Sequence, residues 1–116
     1  MGDKIYNLEE RTLEFSKRVA KMSKALEKSE INDIYIKQII RSATSVGANY
    51  REANEKLSKK DFLHRIKIAR KECKETSYWI ELIIDNNQKL SKRIKPLLEE
   101  SVELRKILST IIDKSK

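Results

Sequence analysis

The sequence predicts an all-α protein folded as an up-down-up-down antiparallel four-helix bundle. Only two glycines and one proline occur in 116 residues, and 38% of the residues are charged. This composition is far from that of a turn-rich β-sandwich and fits a helical chain. Apolar residues recur at helical spacing in four long stretches with short connections, which favour antiparallel neighbours. We therefore expect no sheet and one domain over residues 1–116.

The first helix is predicted over residues 8–28. Asn7 is followed three residues later by Glu10, the spacing of an N-cap with a residue that reaches back. Heptad-like spacing then places Thr12 among five apolar residues on one face: Leu8, Phe15, Val19, Met22 and Leu26.

The second helix is predicted over residues 33–56, with Asn32 or Asp33 as its cap. Its apolar face is expected to consist of Ile36, Ile40, Ala43, Gly47, Tyr50 and Leu57, widened by Ile39, Val46 and Ala53.

The third helix, over residues 58–86, has the strongest periodic pattern in the chain. Ser58 is a predicted cap, and Asp61 supplies negative charge to the first turn, where the helix dipole favours it. Core residues then follow at steps of four and three: Phe62, Ile66, Ala69, Cys73, Thr76, Ile80 and Ile83. Asn86 and Asn87 are expected to end this helix.

The fourth helix is predicted over residues 92–114, and Pro96 leaves two alternatives for its start. Either the helix begins near Lys95 with Pro96 in the first turn, or it begins earlier and kinks. The expected core residues are Leu97, Leu104, Leu108 and Ile111, widened by Leu98, Val102 and Ile112.

Gly47 interrupts the second helix, where a glycine costs about 1 kcal/mol relative to alanine. Because Ala43 precedes it by one turn on the predicted buried face, the favoured interpretation is close helix packing. A polar stripe beside it suggests an alternative, a hydrogen-bond network with Arg41, Glu72 or Glu75. The stripe consists of Ser42, Ser45, Asn49 and Glu52.

The formal charge of +8 and the pI near 9.6 favour acidic partners such as nucleic acid, an anionic protein or a membrane surface. Five residues of the third helix step by four and three and lie about 160° from its core face, namely Lys60, His64, Lys67, Lys71 and Lys74. With Lys59 and Arg70 nearby, this face suits contacts to phosphates rather than to bases. An ordinary solvated helix face is an equally weighted alternative.

The sequence argues against an enzyme, a metal site or a bound cofactor. It has no glycine-rich phosphate loop and no nucleophile elbow. His64 is the only histidine and Cys73 the only cysteine, so neither a zinc cluster nor an internal disulfide is expected. Cys73 lies on the core face and is interpreted as a buried apolar residue. Without a signal-like apolar run or a membrane-length segment, the protein is expected to be cytoplasmic.

Tyr78 and Trp79 lie beside the core face of the third helix rather than on it. Such additional apolar surface is typical of an oligomer interface, where aromatic residues are enriched. Rings that merely cover the edge of the bundle remain the alternative.

Three spaced blocks resemble a known family. The segments RSATSVGANYREAN (41–54), SKKDFLHRIKIARKE (58–72) and KETSYWIELI (74–83) are similar to the four-helix-bundle proteins encoded in intervening sequences of bacterial 23S rRNA genes. That family is related to the accessory variability determinant of diversity-generating retroelements. The resemblance is strong over the second and third helices, and elsewhere it extends only to length and pattern.

The resemblance implies a basic homo-oligomer, a barrel-like pentamer, without enzymatic activity. In the retroelement branch it implies binding to nucleic acid and to a reverse transcriptase. Matched position by position, the residues with an implied structural role are Ser42, Ala43, Val46, Gly47, Asn49, Arg51, Glu52 and Ala53. The implied anion contacts are Lys59, Lys60, Arg65, Lys67 and Lys71. Cys73 and Trp79 complete the set of residues that we assign to helix packing.

Two functional hypotheses follow from the sequence. The first is a non-enzymatic, oligomeric bundle that binds RNA or DNA with little sequence preference. The second is a scaffold or adaptor for a reverse transcriptase or another acidic protein, steered by the basic face.

Overall fold

The computed structural model describes residues 7–55 and 58–116, which contain four α-helices and no strand. The helices are α1 (Leu8–Ala25), α2 (Glu30–Ala53), α3 (Lys59–Asn86) and α4 (Ser91–Lys114). They pack in cyclic order, α1 on α2, α2 on α3, α3 on α4 and α4 on α1. Contacts between α1 and α4 are the sparsest of the four. The predicted all-α four-helix bundle is confirmed.

Two of the predicted helix caps are confirmed, and that of α2 is wrong. The Asn7 side chain accepts a hydrogen bond from the Glu10 backbone N–H at 3.2 Å, and Ser58 accepts one from Asp61 at 3.0 Å. Helix α2 begins at Glu30 rather than at residue 33, because Ser29 has extended backbone and its hydroxyl accepts from the Asn32 N–H at 3.1 Å. This leaves the Asn32 side chain free for other contacts.

The helix ends also differ from the prediction. Helix α1 stops at Ala25 instead of residue 28, because Leu26 has extended backbone (ψ 146°) and is buried. Helix α2 ends at Ala53 rather than at residue 56. A 3-10 turn over Gln88–Leu90 leads into α4, which begins at Ser91 and contains Pro96. The earlier of the two predicted starts is therefore the observed one.

The core follows the predicted faces, with one error in α2. The buried apolar residues of α2 are Ile39, Ala43, Val46 and Ala53, whereas Ile40 is 37% exposed. Ile40 is wrong as a core residue because Ile39 and Ser42 occupy the face turned to the centre. Leu57, the last predicted member of this face, lies outside the described residues.

Gly47 lies where α1 crosses α2 closely. A Cβ atom at residue 47 would be 3.0 Å from Thr12 Oγ1 and 3.2 Å from Thr12 Cβ, so that Thr12 would have to shift by a few tenths of an ångström to admit it. Thr12 cannot easily move, because its hydroxyl donates a 2.7 Å hydrogen bond to the Leu8 carbonyl. The glycine is thus explained by close helix packing.

We predict that Gly47→Val lowers the free energy of unfolding by about 2–3 kcal/mol through overpacking against Thr12. The substitution should destabilise the protein even though valine has a higher helix propensity than glycine. Urea unfolding followed by circular dichroism measures it. The control is Ala48→Val, which adds a valine at the neighbouring exposed position and should change the stability by about 0.5 kcal/mol. Equal effects of the two substitutions would contradict the packing explanation.

The buried side chain of Asn32 hydrogen-bonds both the α1–α2 connection and the α3–α4 connection at one end of the bundle. The Asn32 amide, 2% exposed, donates to the Glu27 carbonyl at 2.8 Å and to Asn87 Oδ1 at 3.0 Å. Its carbonyl oxygen accepts from the side-chain amides of Asn86 at 3.1 Å and Asn87 at 2.9 Å. A buried amide without hydrogen-bond partners lowers the free energy of unfolding by about 1–3 kcal/mol. An arrangement of the α1–α2 and α3–α4 connections that breaks this network is therefore disfavoured.

We predict that Asn32→Leu destabilises the bundle by about 2 kcal/mol or more, because Asn86 and Asn87 lose their shared partner. Thermal unfolding provides the measurement. Asp33→Leu, at the adjacent exposed position, controls for the added apolar side chain. A wild-type melting temperature in Asn32→Leu would be inconsistent with a stabilising network.

Candidate nucleic-acid interface

One face of α3 points away from the bundle and carries a run of basic side chains. Helix α3 turns its core residues inward, with Ile66, Ala69 and Cys73 fully buried. Four lysines and one histidine lie on the opposite face, and all five are exposed: Lys60, His64, Lys67, Lys71 and Lys74. We call these five residues the basic face.

The lysine ammonium groups of the basic face are not bound by carboxylates of the described residues, although Glu52, Glu55 and Asp61 line a hollow beside His64. None of these lysines forms an ion pair within residues 7–55 and 58–116. Two acids of the same helix, Glu72 and Glu75, instead bind Arg41 of α2, with Arg41 Nη1 3.2 Å from Glu72 Oε1. Glu75 also accepts a 2.9 Å hydrogen bond from the Trp79 indole. Glu72 and Glu75 are thus bound by Arg41 and Trp79, and neither forms an ion pair with a lysine of the basic face.

The spacing of the lysines suits a polyanion. Lys60 and Lys74 are fourteen residues apart, which is about 21 Å along a helix. Duplex DNA carries one phosphate charge per about 1.7 Å of its axis, so several phosphates lie within that distance. An extended row of ammonium groups can therefore contact a nucleic-acid backbone without reading bases.

Three predicted contact residues lie off the basic face. The Arg65 guanidinium turns toward α2 and donates to Asn49 Oδ1 at 3.2 Å. The half-buried Arg70 turns toward α4 and donates to Ser109 Oγ at 3.3 Å. Lys59, although exposed, lies with Phe62 beside Ser115 at the end of α4. These side chains flank the face rather than extend it.

The residues assigned to helix packing divide into two groups. Ala43, Gly47 and Cys73 are buried, and Asn49 and Trp79 are half-buried.

Arg51 and Glu52, by contrast, are exposed. Arg51 Nε lies 3.9 Å from Glu9 Oε1 of α1, a surface ion pair. Glu52 borders a shallow hollow with His64 and Arg65. Glu52 lies on the solvent side of α2, so its position does not indicate a packing role.

The polar network proposed for the α2–α3 edge forms only in part. Arg41 does bind Glu72 and Glu75, and the buried Thr76 hydroxyl donates to Ser42 Oγ at 2.8 Å. Ser45 instead donates to the Arg41 carbonyl of its own helix at 2.8 Å.

Sequence reasoning missed two features of this surface. Arg105 of α4 lies near enough to Cys73 to act on its thiol electrostatically, and it precedes Ser109, the partner of Arg70, by one helical turn. It adds positive charge to the α3–α4 side. In addition, the face that carries the lysines becomes acidic after Lys74, with Glu81 and Asp85 exposed. Extending the same steps of three and four along the sequence would have found this change.

Cys73 packs in the core, and the ionisation of its thiol is suppressed. Its Sγ lies 3.1 Å from the Ser101 carbonyl, to which the thiol donates. Burial raises the pKa of Cys73 from 9.0 to about 12, and the positive charge of Arg105 only partly opposes this effect. At neutral pH the native thiol is therefore protonated and a poor nucleophile.

We predict that alkaline pH destabilises the protein through Cys73. The unfolded thiol ionises above about pH 9 while the native thiol stays protonated, so the contribution is complete below pH 9 and is lost as the pH rises toward 12. The free energy of unfolding of the wild type should fall more steeply over this interval than that of Cys73→Ala. Parallel pH dependences would show that the thiol is not suppressed.

Neither a metal centre nor a membrane span is found in the part of the chain that the structure describes. Within it, no group of three or more His, Cys, Asp or Glu side chains is placed to hold a metal ion. None of the described helices is both long enough and apolar enough to cross a bilayer.

Comparison with known proteins gives a family and a fold. The family model of the 23S rRNA-intervening sequence protein matches residues 6–110. A solved structure from Bacteroides thetaiotaomicron VPI-5482, described as a protein of unknown function from the S23 ribosomal protein family, is 38% identical. It superposes with a TM-score of 0.81, and the match covers 90% of this chain and 96% of that one. Among curated proteins, none matches the chain.

Proposed function

We propose, since the chain belongs to the family of 23S rRNA-intervening sequence proteins, that it is a non-enzymatic, oligomeric protein that binds nucleic acid through the phosphate backbone. The basic face of α3 carries this proposal, because its lysines are exposed and unpaired within the described residues. The family name refers to an intervening sequence of 23S rRNA, and the formal charge of +8 favours any polyanion. A pentamer is the assembly that the family resemblance implies.

Contacts between lysines and phosphates predict affinity for nucleic acid without a preference for sequence. Each lysine that neutralises a phosphate releases condensed counterions, which gives a slope of about −0.9 per contact in log K against log salt. Four such contacts, from Lys60, Lys67, Lys71 and Lys74, correspond to a slope of about −3 to −4 for duplex DNA. No side chain is expected to read base edges, so matched duplexes of different sequence should bind alike.

We predict that the triple variant Lys60→Glu, Lys67→Glu and Lys71→Glu loses this binding. Fluorescence anisotropy with a labelled structured RNA and a labelled duplex DNA, across a salt series, measures both affinity and slope. Loss of the three contacts should weaken binding at least tenfold at low salt and reduce the slope by about 3. Circular dichroism verifies that the variant is folded.

The matched control is the triple variant Lys28→Glu, Lys37→Glu and Lys95→Glu. These lysines are exposed on other parts of the bundle, and the substitutions lower the formal charge by the same amount. If both variants lose affinity equally, net charge rather than the basic face determines binding. If the wild type binds neither polymer at low salt, the proposal fails, and the alternative of a scaffold for an acidic protein such as a reverse transcriptase gains support.

A further inference from the structure

Tyr78 lies on the outward face of α3, in line with the lysines of the basic face. It follows Lys74 by four residues and precedes Glu81 by three, so the steps of four and three that run through the basic face continue through it. Its side chain is 57% exposed. The rise of a helix places it about 6 Å beyond Lys74 along the axis. An aromatic ring is therefore exposed at the end of a row of ammonium groups.

Neighbouring side chains support the Tyr78 ring. The Trp79 ring packs edge-on against it, with centroids 5.3 Å apart and an interplanar angle of 67°. Trp79 is itself held, because its indole N–H donates to Glu75 Oε2 at 2.9 Å and its ring centroid lies 6.1 Å from that of Tyr35 on α2. Glu75 is bound in turn by Arg41. The Tyr78 ring is thus supported from within the bundle, while more than half of its surface stays open to solvent.

The charge along this face changes sign at Tyr78. Toward the start of α3 lie the lysines of the basic face, none of which forms an ion pair with another described residue. Toward its end lie Glu81 and Asp85, which are exposed and likewise have no ion-pair partner among the described residues. A phosphate chain is attracted to the first part and repelled from the second. A chain bound along the lysines therefore reaches Tyr78 where the positive charge ends.

An exposed aromatic ring beside ammonium groups suits a nucleic acid with unpaired bases better than a duplex. In a single strand the base faces are free to stack on aromatic side chains while cations hold the phosphates. In a duplex the bases stack on one another, so that away from its ends no base face is open to a protein ring. Stacking accepts every base, because each has a π-face, and it therefore adds affinity without sequence preference.

The geometry points to Tyr78 as a stacking site for an unpaired base, and so to single-stranded nucleic acid as the preferred ligand of the outward face of α3. This inference rests on the proposed function and names its substrate class. Lys71 and Lys74 hold neighbouring phosphates, and the base next to them stacks on the Tyr78 ring. Glu81 and Asp85 repel the phosphate chain and direct it away from the end of α3.

The binding of Tyr78→Ala to single strands and to a duplex tests the assignment. Fluorescence anisotropy across a salt series is measured with a labelled, unstructured single-stranded DNA, with the RNA of the same sequence, and with the duplex of that DNA. The substitution should weaken binding to both single strands about fivefold or more and to the duplex less than about twofold. Because a stacked base releases no counterions, the slope of log K against log salt should equal that of the wild type.

Two matched variants serve as controls. Tyr78→Phe keeps the aromatic ring and should bind the single strands within about twofold of the wild type. Ile34→Ala removes an equally exposed apolar side chain, 58% exposed, from α2. It should leave the affinities for the single strands and the duplex unchanged. Circular dichroism verifies that each variant is folded, and light scattering compares its mass in solution with that of the wild type.

The possible failures of this inference and of the proposed function are distinguishable. If the wild type binds the duplex but Tyr78→Ala binds single strands as well as the wild type does, the stacking assignment is wrong. It is also wrong if the substitution weakens binding to single strands and duplex equally, or if it changes the mass in solution, since the ring would then belong to a contact between subunits. A wild type that binds none of the three nucleic acids at low salt would instead contradict the proposed function.

Discussion

Small side chains let neighbouring helices approach closely at three of the helix–helix contacts of this bundle, and the placement of the longer side chains follows from that approach. Gly47 admits Thr12 of α1, and the hydroxyls of Ser42 and Thr76 meet at 2.8 Å between α2 and α3. Between α3 and α4, the hydroxyls of Ser77 and Ser101 lie 2.6 Å apart. Each of these four hydroxyl oxygens also lies within hydrogen-bond distance of a carbonyl of its own helix, and no described side-chain N or O atom is both buried and unpartnered. Long charged side chains have no place at these contacts and must point outward.

Some of the charged side chains that point outward form ion pairs with a neighbouring helix, and others form none. Arg11 of α1 and Glu100 of α4 form a two-bond pair at 2.7 and 2.9 Å, and this hydrogen bonding raises the pKa of Arg11. Arg41 engages two carboxylates of α3 on the opposite edge. Along α3, the exposed charges without an ion pair to another described residue change sign, from lysines in its first half to Glu81 and Asp85 near its end. Such a separation steers different partners to different surfaces.

Much of the fold could be predicted because a 3.6-residue period is visible without knowledge of the neighbours. The α3 core face, from Ile66 to Ile83, is buried as its spacing indicates. The errors arise where tertiary contacts decide. Ser29 rather than Asn32 caps α2, since Asn32 is needed for the buried network with Asn86 and Asn87. The contacts of long side chains are also beyond periodicity: Arg70 has a helical position near the lysines but turns to Ser109 on α4. Arg65 lies about 60° from Phe62 around the helix, so its place beside α2 follows from periodicity, whereas its partner Asn49 does not.

The proposed contact between nucleic acid and the outward face of α3 can be tested through the chemical reactivity of its lysines. The protein is acetylated with and without saturating duplex DNA, and the modification of each lysine is measured by mass spectrometry. Lys60, Lys67, Lys71 and Lys74 should be protected together, while Lys37 and Lys95, exposed on α2 and α4, should react equally in both states. Protection spread evenly over all exposed lysines, or confined to residues outside α3, would contradict the account.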